Sequence, residues 1–391
     1  MFLAAALPPF ILTISLVVLF IFFTGLGLKR LGQPYIISYI LAGVLLGGQG
    51  LGVITDHVAV AHMGELGIIL LLFFIGMEID LPRFIRGWRV AIIGTSVQIG
   101  ASVALMLALG WFAGWPAARS VLMGFVIALS SSAVIIRLLQ DKGLVDTRIG
   151  RHVLTILLTQ DVLIVPLLIL TSFLGGRTES TGSLLLLLAG GALIVGILVT
   201  IYRRSTVRIP LAHRVEGDHE LQVFLALFLC FGGALVSGLF GLSPALGAFV
   251  GGMVMHAARE THWIHNTLHS FRVLFVSIFF IGVGLQIDLD FIAANAGLLL
   301  GAIAAVYVTN HLLNSVILRT VRNSWADALL GGALLAQIGE LSFLLADSAH
   351  DLDLFGSYGY HFTISLISLT LFISPFWIAA TQALSRRMVR R

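Results

Sequence analysis

Long apolar runs return along the whole chain, and they limit it to very few folds. Thirteen of them fall roughly at 8–28, 34–49, 62–78, 90–113, 118–137, 152–174, 183–202, 220–240, 242–256, 271–287, 291–318, 325–346 and 362–385. Most reach or approach the ~20 residues that a helix needs to cross a bilayer. In lipid every backbone polar group must be satisfied within the segment, so such runs fold as helices. The second and ninth are shorter and rich in glycine, which fits tilted or broken helices. The expected fold class is an all-α membrane protein with 13 transmembrane helices.

Composition agrees. The chain has 391 residues, of which 58% are hydrophobic and 11% charged, against ~25% charged in a soluble domain. Its 42 glycines suit close packing of membrane helices. The single Cys230 leaves no disulfide within the chain and no thiolate metal site. The stretch from Met1 to Leu7 has no basic start and no cleavage pattern, so it reads as the beginning of the mature protein.

The formal net charge of +4 could suggest nucleic acid, but the placement of the basic residues explains it better. With the N-terminus outside, the loops after spans 1, 3, 5, 7, 9 and 11, the tail and the adjoining helix ends face the cytoplasm. They hold every Lys and Arg except Arg119 and Arg177. That separation is the positive-inside rule, and it puts the C-terminus in the cytoplasm.

An internal repeat follows. Phe73-Phe74-Ile75-Gly76-Met77-Glu78-Ile79-Asp80 ends span 3, and Phe279-Phe280-Ile281-Gly282-Val283-Gly284-Leu285-Gln286-Ile287-Asp288 ends span 10. Upstream, Leu41-Ala42-Gly43 in span 2 resembles Leu246-Gly247-Ala248 in span 9. The copies lie seven spans apart. Seven is odd, so the second enters the membrane the other way up. Residues 8–174 form one repeat, 183–202 a linker helix and 220–385 the inverted second repeat. Inverted repeats are typical of secondary transporters.

The repeat also points to a site. Ser130-Ser131-Ser132 interrupts span 5, and Gln337-Ile338-Gly339-Glu340 interrupts the corresponding place in span 12. Paired polar breaks of this kind mark discontinuous helices that meet at the bilayer midplane. Between them in sequence, Gln160-Asp161 sits inside span 6. A charge there costs at least ~2.5–3.5 kcal/mol, which makes Asp161 the leading functional residue. A buried carboxylate can hold a proton or a dehydrated cation but not easily both, and Gln160 offers a carbonyl ligand. The serines are either ligands or small residues at a helix crossing. Glu340 is either a second proton carrier or a counter-charge to half-helix ends. Asn310 and His311 interrupt span 11, where His311 is a packing residue or a proton carrier. His256, His262, His265 and His269 fall in the cytoplasmic loop after span 9. That loop is solvated by default, with pH sensing by His265 and His269 as the alternative. No phosphate loop and no nucleophile–base pair is present, so the chain is not read as an enzyme, and no resident cofactor is expected.

These words together resemble the Kef-type potassium:proton antiporters of the monovalent cation:proton antiporter-2 family. The resemblance rests on Tyr39 to Gly43, Phe73 to Asp80, Ala128 to Ala133, Gln160-Asp161, Leu242 to Ala248, Phe279 to Asp288 and Gln337 to Phe343, and runs from Gly32 to Leu371. It implies a sodium/proton antiporter-like fold with crossed discontinuous helices and a homodimer in the plasma (inner) membrane. It also implies an elevator-like movement of a core domain against a dimer domain. The family's ion-binding Asp falls on Asp161, with its polar breaks on Ser130 to Ser132 and Gln337 to Glu340. Electrogenic relatives carry a second Asp where this chain has Gln160 and a Lys in span 10 where it is apolar. One cation for one proton is therefore expected. Kef systems append a cytoplasmic nucleotide-binding domain, so a regulatory subunit or domain of that kind is an expected partner. A sodium/proton exchanger of the same fold and a regulated cation channel are the competing readings.

Overall fold

The computed structural model describes residues 9–31, 35–48, 50–54, 57–78, 88–141, 143–145, 147–175, 181–204, 207, 215, 217–258 and 264–389. Among these residues the regular elements are helices. In chain order they are α1 (Pro9–Arg30), α2 (Tyr35–Leu46), α3 (His57–Glu78), α4 (Trp88–Ala113), α5 (Ala117–Ala128), α6 (Ser132–Asp141), α7 (Arg148–Leu174) and α8 (Thr181–Arg204). The second half continues with α9 (His219–Leu239), α10 (Pro244–Ala257), α11 (Ile264–Leu285), α12 (Leu289–Ala294), α13 (Ala296–Thr320), α14 (Trp325–Leu334), α15 (Leu341–Asp351) and α16 (Ser357–Val389).

Each predicted segment overlaps at least one of these helices. The second and ninth are short, at 12 and 14 residues. Spans 5 and 12 are each two helices, α5 with α6 and α14 with α15, as the polar interruptions implied. Span 11 holds the short α12 and then α13, which runs unbroken past Asn310 and His311. Asparagine and histidine are only mildly unfavourable in a helix interior, and both side chains find partners outside α13.

Helix starts follow ordinary capping chemistry. Asp218 accepts the N–H groups of Glu220 and Leu221, both at 3.1 Å, to open α9. Ser324 and Asp327 pair at the start of α14, the Ser324 hydroxyl accepting the Asp327 N–H at 3.1 Å. Asp288 caps α12 by accepting the Phe291 N–H at 2.9 Å.

The chain divides into two compact units, one of residues 1–61, 90–160 and 280–391, the other of 62–89 and 161–279. The first contains both broken spans. In it α2 crosses the end of α11 at bare backbone: a Cβ on Gly43 would strike the Ile281 carbonyl, and one on Gly284 would strike the Ile40 carbonyl. Ala42, Leu46 and Ile281 fill the surrounding core. In the second unit α3 crosses α10 in the same manner. A Cβ on Gly76 would strike the Phe249 carbonyl, and one on Gly252 the Phe73 carbonyl. Leu70, Phe73, Phe74, Cys230 and Ala248 pack there. Span 2 thus pairs with span 10, and span 9 with span 3. Exchanging the two sequence repeats turns one pair into the other.

Candidate functional site

The site is built where the breaks in spans 5 and 12 meet. A broken helix exposes carbonyls at the end of its first half and N–H groups at the start of its second. Buried, each such group needs a partner. The Gly339 N–H donates to the Leu129 carbonyl at 2.7 Å and ties the breaks together through backbone alone. Gly339 lies so close to Ser130 that a Cβ would come within 2.5 Å of the Ser130 carbonyl carbon.

Side chains satisfy the remaining ends. At the end of α5, the Ser342 hydroxyl donates to the Val126 carbonyl at 2.7 Å and the Asn310 amide to the Ile127 carbonyl at 2.7 Å. The amides of Gln98 and Gln160 both donate to the Ala128 carbonyl, at 2.9 and 3.1 Å. Past the end of α14, the Ser130 hydroxyl donates to the Leu335 carbonyl at 2.8 Å and Asn310 to the Ala336 carbonyl at 3.2 Å. Asn314 donates to the Asn310 carbonyl at 2.9 Å, one turn back along α13.

The predicted site residues take distinct places in this arrangement. Gln160 is the hinge pin. Its carbonyl accepts the Ser130 N–H at 3.1 Å, and its amide donates to Gln98 Oε1 at 2.9 Å as well as to Ala128. Ser131 is the N-cap of α6, its hydroxyl accepting the Val134 N–H at 3.3 Å. Ser132 donates to Glu340 Oε1 at 3.1 Å, so the carboxylate of the second break meets the start of the half helix after the first. A negative group suits that positive end. Gln337 is fully buried in the second break, and neither of its amide atoms is hydrogen-bonded among the described residues. An amide oxygen left over in this way can take a water or a cation.

Asp161 directly follows Gln160 on α7 and is only 3% exposed. Pro166, five residues on, has no N–H to give the Val162 carbonyl, so α7 is weakened within a turn of Asp161.

His311 is held on both sides. Its Nε2 lies 3.0 Å from the Leu329 carbonyl, and its Nδ1 accepts the Trp377 indole N–H at 3.2 Å. The tautomer protonated on Nε2 alone satisfies both contacts. His256 sits at the end of α10, with Nδ1 2.6 Å from the Met77 carbonyl. The side chains of His265 and His269 lie outside the described residues.

Sequence reasoning missed Gln98, Asn310 and Asn314 as parts of the site. The available signal was the amide itself: each is a carboxamide inside an otherwise apolar run, and Asn310 and Asn314 are one turn apart.

Known proteins share this arrangement of helices. A family model described as "Sodium/hydrogen exchanger, transmembrane" matches residues 15–383. The chain belongs to that family. It is 36% identical over 363 residues to an iron transporter, MagA, of Paramagnetospirillum magneticum, covering 92% of this chain and 82% of that one. It is 30% identical over 370 residues to a glutathione-regulated potassium-efflux system protein of Haemophilus influenzae, covering 93% of this chain and 59% of the other. A KefC protein of Escherichia coli is 32% identical over 279 residues, 68% of this chain and 43% of its own length. The chain therefore spans only about half the length of the potassium-efflux relatives. In fold it resembles the sodium proton antiporter MjNhaP1 of Methanocaldococcus jannaschii, with TM-score 0.68 at 18% identity over 97% of this chain and 99% of the other. The exchanger-family chain is thus a multi-pass membrane protein with the antiporter fold, and its relatives are transporters.

Proposed function

We propose that this chain exchanges a monovalent cation for a proton, one for one, by alternating access, with Asp161 as the group that binds either. The reading is carried by the coupling of Asp161 to the crossing through Gln160. The residue before the buried carboxylate makes two bonds to the first break and a third to Gln98 on α4. A shift of the half helices would then be felt at the carboxylate. Asp161 brings a single charge, and Gln160 is neutral where a second carboxylate would add another. Binding one proton or one cation then leaves the same net charge, which supports electroneutral exchange.

Potassium is favoured over sodium because two of the relatives carry potassium efflux in their names. The crossing glycines Gly43, Gly284, Gly76 and Gly252 support the inverted repeat, and the distribution of Lys and Arg supports its outside N-terminus. Gln160 and the three serines position the break, while Gln337 and Glu340 stand as further ligands. The inner membrane, a homodimer and a cytoplasmic nucleotide-binding regulator belong to the same reading, which needs no resident cofactor.

The test is collapse of a preset pH gradient in proteoliposomes on adding K⁺, Na⁺, Li⁺ or Fe²⁺. Collapse by K⁺ with saturation supports the proposal. Collapse by Na⁺ alone gives the sodium reading, and a response to Fe²⁺ alone follows the iron-transporter relative. Cation flux without proton movement makes the protein a channel and overturns antiport.

A further inference from the structure

At the far end of α15 from Glu340 lies a second group of polar side chains that the exchange site does not use. The Tyr360 hydroxyl is hydrogen-bonded to Asp347 Oδ1 at 2.6 Å and also lies against Gln286 Oε1. His350 stacks on the Tyr360 ring, with centroids 4.4 Å apart and planes at 19°. Asp347 ends a helix face that begins at Glu340, seven residues or about two turns away.

The hydrogen count is the key. A phenol has one proton, yet Tyr360 faces two oxygens that both accept. Two arrangements satisfy all three groups. With Asp347 neutral, its O–H donates to the phenol oxygen and the phenol donates to Gln286 Oε1. With Asp347 ionised, the phenol donates to the carboxylate, and Gln286 turns its amide so that Nε2 donates to the phenol oxygen. The two differ by one proton and one amide flip, and each pairs the three facing atoms. A site with two satisfied states one proton apart is suited to taking up and releasing that proton.

We propose that Asp347, linked through Tyr360 to Gln286, is a proton-binding site at the outer mouth of the exchanger. It takes its proton from the outer solution and returns it there; only O–H bonds are made and broken. The proposal rests on the exchange reading and on the outside placement of these helix ends.

Other charged and titratable groups face this region from each neighbouring element. On α15 itself these are His350 and Asp351. On α16, which packs on α15, they are Tyr358, Tyr360 and His361. On α5, also packed on α15, Arg119 lies against Gly359 and over the Trp115 ring at 5.0 Å. Asp288 and Asp290 stand at the start of α12, whose Phe291 meets Tyr358 and His361. Of these, His350 favours the ionised form of Asp347 and Asp351 the neutral one.

Infrared difference spectra of the purified protein against pH provide the first arm. A protonated-carboxyl band that titrates, is lost in Asp347→Asn and shifts in Tyr360→Phe is expected. The Tyr360→Phe shift keeps the test open should Asp347→Asn fail to fold. A titrating band unchanged in both variants overturns the proposal. In proteoliposomes, Asp347→Asn should move the outer-pH profile of exchange toward lower pH and leave the inner-pH profile in place. Superimposable outer profiles overturn the proposal. Absence of exchange in the parent protein would sink the exchange reading, while the infrared arm would still decide whether Asp347 holds a proton.

Discussion

Gly339 gives its backbone N–H to the Leu129 carbonyl across 2.7 Å, and this bond joins two helices that are each broken at the same point. No side chain intervenes, so the distance between the breaks is fixed by glycine. Gly339→Ala should be poorly tolerated, because its Cβ would meet Ser130 carbonyl atoms and the Ser131 N. A loss of about 1–3 kcal/mol is expected in thermal unfolding of the purified protein. Gly301→Ala on α13 is the control: nothing lies within 4 Å of its Cβ, and it should be neutral or stabilising.

Asn310 carries two of the freed carbonyls, at Ile127 and Ala336. Asn310→Ala leaves both buried acceptors without that donor, at about 1–3 kcal/mol each if no water replaces it. Both stability and cation-dependent proton movement should fall. Asn314→Ala, which frees no end carbonyl at so short a distance, should cost less. Equal losses in the two variants would show that the carbonyls find other partners.

How much of this was legible beforehand differs from part to part. The breaks at Ser130 to Ser132 and Gln337 to Glu340 could be placed because polar residues stand out in apolar runs and the repeat supplies a matching offset. Asp161 stood out for the same reason. Asn310 was visible only as an oddity in span 11. Its partner Ile127 lies 183 residues away, and no local pattern encodes that pairing. Gln160 was read as a ligand carbonyl, whereas the structure shows two hydrogen bonds holding the break and a third to Gln98. Those bonds depend on where α4 and α5 come to rest, which tertiary packing decides. The capping role of Ser131 follows an ordinary N-cap preference, but it can be assigned only once α6 is known to begin at Ser132.

Gln98 and Gln160 bond each other and share the Ala128 carbonyl. A double-mutant cycle with Gln98→Ala and Gln160→Ala should therefore give a coupling of about 0.5–3 kcal/mol in unfolding. Additive losses would mean that the two amides act separately. Gln160→Glu is expected to destabilise more than Gln160→Ala, since it replaces the donor of two bonds with a second buried carboxyl group.

His311 has both ring nitrogens engaged in one neutral tautomer. His311→Gln retains a donor and an acceptor and removes the titratable group. The pH profile of exchange should keep its shape in this variant, with at most a uniform fall in rate. A displaced profile would assign His311 a proton and contradict the packing role.

The account turns on competition for one carboxylate, which can be measured without transport. Purified protein in weakly buffered detergent solution, given K⁺, should release one proton for each cation bound. The apparent affinity for K⁺ should fall about tenfold per pH unit below the pKa of the group. Asp161→Asn should release none. Proton release that persists in Asp161→Asn, or K⁺ binding in the parent protein with no proton release at any pH, would contradict the assignment of Asp161 as the shared site.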